Sequence, residues 1–323
     1  MVYLRIVAQY GAVIAIALTL NFLLPRVAPG SPLNYMLGED ALAAMSQEEI
    51  DLVLREFGLD KPIAAQFADY VGGVFSRDLG TSVWLGQPVW DAVLTRLPWT
   101  LLLMGWALAV SAVLGTVIGI ASAWKRGERF DVASLALVLF VGSMPFFWVA
   151  MLLITLFSAN LGWLPSFGAY PLGSVPGSFD YYAGVAERLV MPVVALALVQ
   201  TASILITARS AMSIALDQDY ITFARAKGAS ERRIFYRHAF LNARLPIYTR
   251  IMVEISELVG GALVVETVFS YPGLGSLIVG GVGARDYNLL QGVFLVATFS
   301  VILANLVADL GYPLLDPRTR RAR

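Results

Sequence analysis

The sequence predicts an all-α integral membrane protein of six transmembrane helices, from its composition, its uncharged runs and the placement of its basic residues. Apolar residues make up 58% and charged residues 14% of 323 positions, against about 45–50% and about 25% in soluble domains. With a mean hydropathy of +0.71, the chain lacks the polar groups to cover a water-facing surface. There are no cysteines and one histidine, His238. Disulfides, thiolate zinc sites, cysteine nucleophiles and multi-histidine metal clusters are therefore excluded. The formal net charge is zero and says nothing about nucleic acid; the distribution of charge says more.

A bilayer core takes about 20 mostly apolar residues as a helix. Ile6–Leu24 carries no charge and forms the first expected span. Its weak basic flank, its length and the absence of a small-x-small site before Pro29 mark it as an uncleaved helix rather than a signal peptide. The second lies between Arg96 and Lys125, and the third runs from Asp131 toward Asn160. Leu189–Ala208 is the fourth, Ile251–Phe269 the fifth and Tyr287–Leu315 the sixth. Lys and Arg concentrate in cytoplasmic segments. With both termini inside, the inner segments hold 16 of the 23 basic residues, and the two short outer loops hold only Arg188 and Arg285.

Three regions follow: a first helix (1–25), an outer loop domain (26–98) and a five-helix core (99–323) that contains an inner loop at 217–246. The outer loop carries ten acidic and five basic residues. Ser46 with Glu49 fits a capping box opening a helix that stops near Gly58. Pro62 starts a second helix with Ile63, Phe67, Val71 and Val74 along one face. This domain is either a packed cap or a docking surface for a delivery protein. Asn160–Arg188, rich in Gly, Pro and Tyr, reads as a structured loop, and Tyr271-Pro-Gly-Leu-Gly275 as a loop or short re-entrant helix.

The inner loop reads DQDYITFARAKGASERRIFYRHAFLNARLP. Asp217 or Asp219 caps a helix to Lys227, and Gly228 supplies the left-handed turn that ends it. Ser230 caps a second helix, Glu231–Ala243, expected to stop before Pro246. Its apolar face holds Ile234, Phe235, His238, Leu241 and Leu245, with Arg232, Arg233, Arg237 and Arg244 mostly elsewhere. Basic amphipathic helices of this kind commonly lie on anionic lipid. The glycine break, the lone histidine and the closing proline suggest a more specific role.

Ala224-Arg-Ala-Lys-Gly228, followed by Ile234, His238, Asn242 and Pro246, resembles the coupling-loop signature of type I ABC import permeases. The likeness covers nearly the whole chain and narrows to the peptide/dipeptide/nickel permease family. Ala28-Pro-Gly-Ser-Pro32 is similar to a PGDP element with Ser31 for aspartate. Gly58-Leu-Asp-Lys-Pro62, Asp78-Leu-Gly-Thr-Ser82, Pro88-Val89, Arg96-Leu-Pro98 and Ser143-Met-Pro-Phe146 follow in order. So do Leu164-Pro165, Arg209-Ser210, Val265-Glu-Thr-Val-Phe269, Pro272-Gly-Leu-Gly275 and Leu315-Asp-Pro-Arg318. Only Arg5 stands where the family begins with paired arginines.

The resemblance implies the type I importer permease fold, with a cytoplasmic coupling helix and a small helical outer domain. Asp219, Tyr220, Ala224, Ala226, Gly228, Ile234, His238, Asn242 and Pro246 are then the residues that meet an ATPase. The implied partners are a second homologous permease, two ATP-binding subunits inside, a solute-binding protein outside and the lipid bilayer, with no nucleic acid. The implied location is the cell membrane. No cofactor is expected on this chain; ATP and Mg2+ belong to its partners. Peptides, nickel, glutathione and oligosaccharides all remain open as substrates.

A phosphate-cradling loop needs lysine before Ser or Thr. The three lysines, Lys61, Lys125 and Lys227, precede Pro62, Arg126 and Gly228. No nucleophile–base constellation is visible either, so the expectation is a non-catalytic subunit. Carboxylates in a bilayer cost about 2.5–3.5 kcal/mol on insertion scales and point to function. Glu254 and Glu257 share a helix face. Binding a cationic substrate group, pairing with Arg209 or Arg250, and relaying protons compete as their roles. Glu266, by resemblance, belongs to an outer gate. A proton-coupled secondary transporter using Glu254, Glu257 and Asp309 is the alternative, opposed by the absence of an internal repeat. A non-transporting scaffold would not need three carboxylates in one span.

Overall fold

The computed structural model describes residues 2–27, 44–56 and 60–315. The expected PGDP-like element at 28–32, the helix stop near Gly58 and the terminal residues 316–323 lie outside these. Packing divides the chain into two units, Met1–Pro98 with Gly273–Leu303 and Trp99–Pro272 with Ala304–Arg323.

In the first unit, α1 (Val2–Val27) carries the first expected span. Its buried Asn21 donates through Nδ2 to the Tyr70 hydroxyl and to the Gln291 carbonyl, 2.9 Å each. Phe22 packs edge-on to Phe67 at 5.2 Å between ring centroids. The helices of the 26–98 region are α2 (Gln47–Glu56) and α3 (Ile63–Ser76). Phe67, Val71 and Val74 are half-buried as expected, whereas Ile63 is 61% exposed. It occupies the first turn, where α3 is only beginning.

The reciprocal cap at α2 forms. The Ser46 N–H and hydroxyl donate to Glu49 Oε2 at 2.7 and 2.9 Å, and the Glu49 N–H donates back at 3.4 Å. The Ser46 backbone N–H, and then its hydroxyl, hold the Glu49 carboxyl below its ordinary value. A carboxyl whose folded value is depressed stabilises above its unfolded value, and the effect is lost as pH falls through the folded one. Protection factors of α2 amides, that is, rates corrected for intrinsic exchange, should therefore fall as pH drops through that window. Glu49→Ala should abolish this pH dependence, read by hydrogen exchange.

A two-residue antiparallel pair, β1 (Thr81–Ser82) and β2 (Gln87–Pro88), precedes α4 (Val89–Trp124). Asp286 ties the turn between the strands to α12 (Tyr287–Leu315). Its carboxylate accepts from the Ser82 hydroxyl at 2.5 Å and from the N–H groups of Trp84 and Leu289 at 3.0 Å. The ten-residue α11 (Leu274–Gly283) fills the place where a loop or short re-entrant helix was expected. Leu274 and Leu277 pack with Val89, Val93, Leu289 and Val293.

The second unit centres on α7 (Phe179–Leu216), whose 38 residues far exceed the expected Leu189–Ala208. Ser178 caps it, accepting the Tyr181 N–H at 3.1 Å. Phe179–Arg188, read as loop from its composition, is helical although only Gly184 in it is buried; the Ser178 cap and Asp180 in the first turn start the helix there. The apolar stretch of α7 is 67% buried in protein, against 22% for that of α4. Gly115 and Gly119 let α4 approach it. A Cβ on Gly119 would lie 2.5 Å from the Leu205 carbonyl oxygen and 2.8 Å from the Ala208 Cβ. Gly119→Val should therefore cost about 1–3 kcal/mol by overpacking, seen as a lower unfolding temperature in detergent.

The third span was expected to run unbroken from Asp131 toward Asn160. It is instead α5 (Arg129–Gly142) and α6 (Phe146–Leu153) with its π-helical extension Ile154–Asn160, bent by 101°. Pro145 is the cause: it has no N–H to give, and it drives the residue before it out of the helical well. Three helices, and this bent pair taken together, have the length and apolarity to cross a membrane among the described residues. The 29-residue α10 (Phe240–Val268) is excluded from that count by its charges. The described apolar stretch of α1, Ala8–Leu23, is short of a full span.

Candidate functional site

The 217–246 loop, expected to lie inside, folds as α8 (Asp219–Ala226), then α9 (Glu231–Arg233), which passes through one π-helical turn, Ile234–Ala239, directly into α10. Gly228 takes φ +78°, the left-handed turn expected of it. Ser230 stands at the N-cap position, but no side-chain cap bond forms there. Its carbonyl accepts the N–H groups of Arg233 and Ile234 at 2.9 and 3.0 Å.

Two expectations for this segment fail together. The second helix does not end before Pro246, which lies inside α10. The apolar face expected at Ile234, Phe235, His238, Leu241 and Leu245 holds only at its start, where Ile234 is buried and Phe235 packs against the same cluster. The fully buried positions are Ile234, Ala239, Ala243 and Ile247, while Leu241 is 44% exposed. The first step of that stripe is five residues and the others four, because the wide turn inserts one residue and rotates everything after it. The proline penalty of about 3 kcal/mol is offset by burial. Ile221, Ile234, Ala239, Ala243 and Ile247 join Ile120, Ala123, Ala208, Met212 and Ala215 in one apolar cluster. Trp124 closes it edge-on to Phe235 at 5.0 Å. The loop is thus bolted to α4 and α7.

The opposite face carries large apolar groups in the open: Tyr220 38%, Phe223 69%, Tyr236 59% and Leu241 44% exposed. Arg232, Arg233 and Arg237 flank them, all exposed. The Asn242 amide donates to the Tyr220 hydroxyl at 3.1 Å and to the His238 carbonyl at 2.7 Å, which brings three expected residues together. Asp219, Ala226, Gly228 and Pro246 are exposed and Ala224 half-buried; Ile234 is buried and serves as an anchor. Phe223 and Tyr236 are additions that the sequence reading passed over. Arg225–Glu231 at 3.1 Å and Arg126–Asp217 at 2.9 Å brace the loop. Both pairs are exposed and contribute at most about 1 kcal/mol each.

A second addition is Asp131, first read only as the start of a span. It is 2% exposed. Its carboxylate accepts from Arg209 Nε and Nη2 at 2.6 and 2.8 Å, from the Ser122 hydroxyl at 2.5 Å and from the Gly127 N–H at 2.9 Å. Arg209, weighed as a partner for Glu254 and Glu257, belongs here. The signal available in the sequence was an aspartate directly after the basic inner turn Lys125–Arg129.

Glu254 and Glu257 take Arg250. Arg250 Nη2 lies 2.5 Å from Glu254 Oε1 and 2.9 Å from Glu257 Oε2, and Nε lies 3.0 Å from Glu254 Oε1. The Ser203 hydroxyl donates to Glu254 as well. Glu254 is buried and Glu257 half-open, with side chains 1% and 54% exposed. All three line a cavity of about 420 Å3 with Leu139, Gly142, Ser143, Phe146, Gln200 and Ser203. The break at Pro145 therefore forms part of its wall. Glu266 is fully buried, accepts the Thr100 hydroxyl at 2.6 Å and is absent from that lining. Asp309 is exposed on α12. Among the described residues, no group of three or more His, Cys, Asp or Glu is placed to hold a metal ion.

Residues 115–321, which include both the inner loop and the cavity, match the family of binding-protein-dependent transport system inner membrane components. The chain belongs to that family. The permease is 37% identical over 322 residues to the di/tripeptide transport system permease protein DppB of Pseudomonas aeruginosa (strain UCBPP-PA14), with 94% of each chain covered. It is 34% identical over 301 residues to the oligopeptide transport system permease protein AppB of Bacillus subtilis (strain 168), covering 93% of this chain and 92% of that one. Its fold resembles a chain in a solved inward-facing structure of the MetNI methionine ABC transporter. That match has a TM-score of 0.56 at 17% identity and covers 69% of this chain and 95% of that one. The permease is a multi-pass membrane protein with the architecture of an ABC importer permease.

Proposed function

We propose that this permease forms half of the translocation pore of an ATP-driven peptide importer, in the cell membrane with both termini cytoplasmic. A second homologous permease completes the pore, two ATP-binding subunits dock inside, and a solute-binding protein docks on the outer loop domain. The observation that carries this reading is the inner loop, buried on one face and open with aromatic groups on the other. A rigid, apolar, basic-flanked projection suits a groove on a partner better than a flexible loop would, because little ordering entropy remains to be lost on binding. The relatives named for di/tripeptide and oligopeptide transport favour peptides as the cargo.

In this mechanism ATP, with Mg2+, is bound and hydrolysed on the partner subunits. Their closure moves the loop around Tyr220, Phe223, Tyr236 and Asn242. The cluster beneath it passes the motion to α4, α7 and α10, which switch the pore between inward- and outward-facing states. Arg250 neutralises Glu254, which argues against a proton relay through these carboxylates.

The test is mild-detergent purification of the tagged permease, followed by reconstitution with its binding protein. Recovery of P-loop ATPases and a homologous permease, with uptake that follows internal ATP and ignores an ionophore, is the expected result. A lone chain or homodimer that moves solute under a proton gradient would sink the proposal.

A further inference from the structure

The cavity on α5, α7 and α10 holds one side chain whose chemistry the fold leaves unanswered. Gln200 is 4% exposed, and neither its Nε2 nor its Oε1 has a hydrogen-bond partner. Burying an amide without a partner is unfavourable, and such groups in native structures call for an explanation. Gln200 is among the residues that line a cavity of about 420 Å3, within the usual range of about 300–1,000 Å3 for ligand sites. The same lining carries two carboxylates, Glu254 and Glu257, for one guanidinium, Arg250. The exposed one of the two carboxylates is Glu257. An amide that donates and accepts at once, beside a surplus negative charge, is complementary to a peptide bond near an ammonium group.

We propose that Gln200 is the contact that reads the main-chain amide of a peptide in transit, with Glu257 receiving the peptide's amino terminus. The inference rests on the importer reading and deepens it. The permease then holds a subsite of its own, independent of side-chain sequence because it grips what all peptides share. Nickel or an oligosaccharide would leave this pair of complementary groups unmatched.

The test uses the purified importer complex without its binding protein, with tritiated trialanine as probe and Gln200→Met as the variant. Methionine keeps the volume and removes the orphaned polar atoms, so folding should be unharmed or improved. The expected result is trialanine binding by wild type and an affinity at least about ten-fold weaker in Gln200→Met, about 1.4 kcal/mol. The unfolding temperature should be equal or higher. Unchanged affinity in the variant, or no binding by wild type, overturns the subsite. Loss of the second permease from the Gln200→Met complex also overturns it, because Gln200 would then be an interface residue. Failure of the importer reading is seen separately, as a wild-type preparation without ATPases or ATP-driven uptake.

Discussion

Replacing Asp131 with alanine is expected to lower the unfolding free energy of the permease by about 3–5 kcal/mol, because one partner of a buried ion pair is lost. The carboxylate takes four hydrogen bonds, from Arg209 twice, from Ser122 and from Gly127. Its removal strands a guanidinium and two further donors. The Arg209 side chain is 26% exposed, so water relieves part of that penalty and the loss should fall toward the lower figure. The double variant Asp131→Leu with Arg209→Met should recover much of it, since well-packed apolar pairs often replace buried ion pairs at no cost. Unfolding curves in detergent read both. A single variant as stable as wild type would show that the cluster does not hold the inner turn, 125–129, against α7.

Phe223→Asp is expected to abolish coupled uptake while leaving the permease inserted and folded. Phe223 is 69% exposed and Tyr236 59%, so neither contributes much to the core. At a docking surface, however, a central aromatic anchor contributes at least about 2 kcal/mol, or about thirty-fold in affinity. An aspartate in its place adds a desolvated charge to that loss. The expected readout is loss of ATPase subunits from the purified complex at unchanged permease yield and unchanged unfolding temperature. Retained ATPases with normal uptake would move the docking contact elsewhere, with the exposed Arg232, Arg233 and Arg237 the next place to look. Ile221→Asp, on the buried side, should instead lower the yield of folded protein. The pair of variants thus separates docking from packing within one short helix.

Much of this was legible in the chain. The apolar runs determined that the protein lives in a membrane, since no polar surface could be assembled from the composition. Ser46 and Glu49 determined a helix start, and Gly228 a left-handed break, because caps and positive φ are local properties of the backbone. The resemblance of Ala224–Pro246 to a coupling loop was visible in its residues alone, and Glu254 and Glu257 stood out as charges that lipid alone could not accommodate.

Tertiary structure alone decided which side of each helix mattered. The π-helical turn at Ile234–Ala239 cannot be read from a period of 3.6, and one inserted residue moved Leu241 from the buried face to the open one. Pro246 stayed helical and Pro145 broke its span, although both carry the same local penalty. At Pro246, burial of Ala243 and Ile247 outweighs it; at Pro145 the chain turns by 101°. Partner choice was equally invisible: Arg209 and Arg250 were interchangeable candidates until packing set Arg209 on Asp131 and Arg250 on both glutamates. Gln200 carried no signal, because an amide within an apolar run looks ordinary until the space around it is known. Local chemistry decides where helices begin and break, and only the close packing of distant segments decides which buried polar groups are satisfied and which remain available.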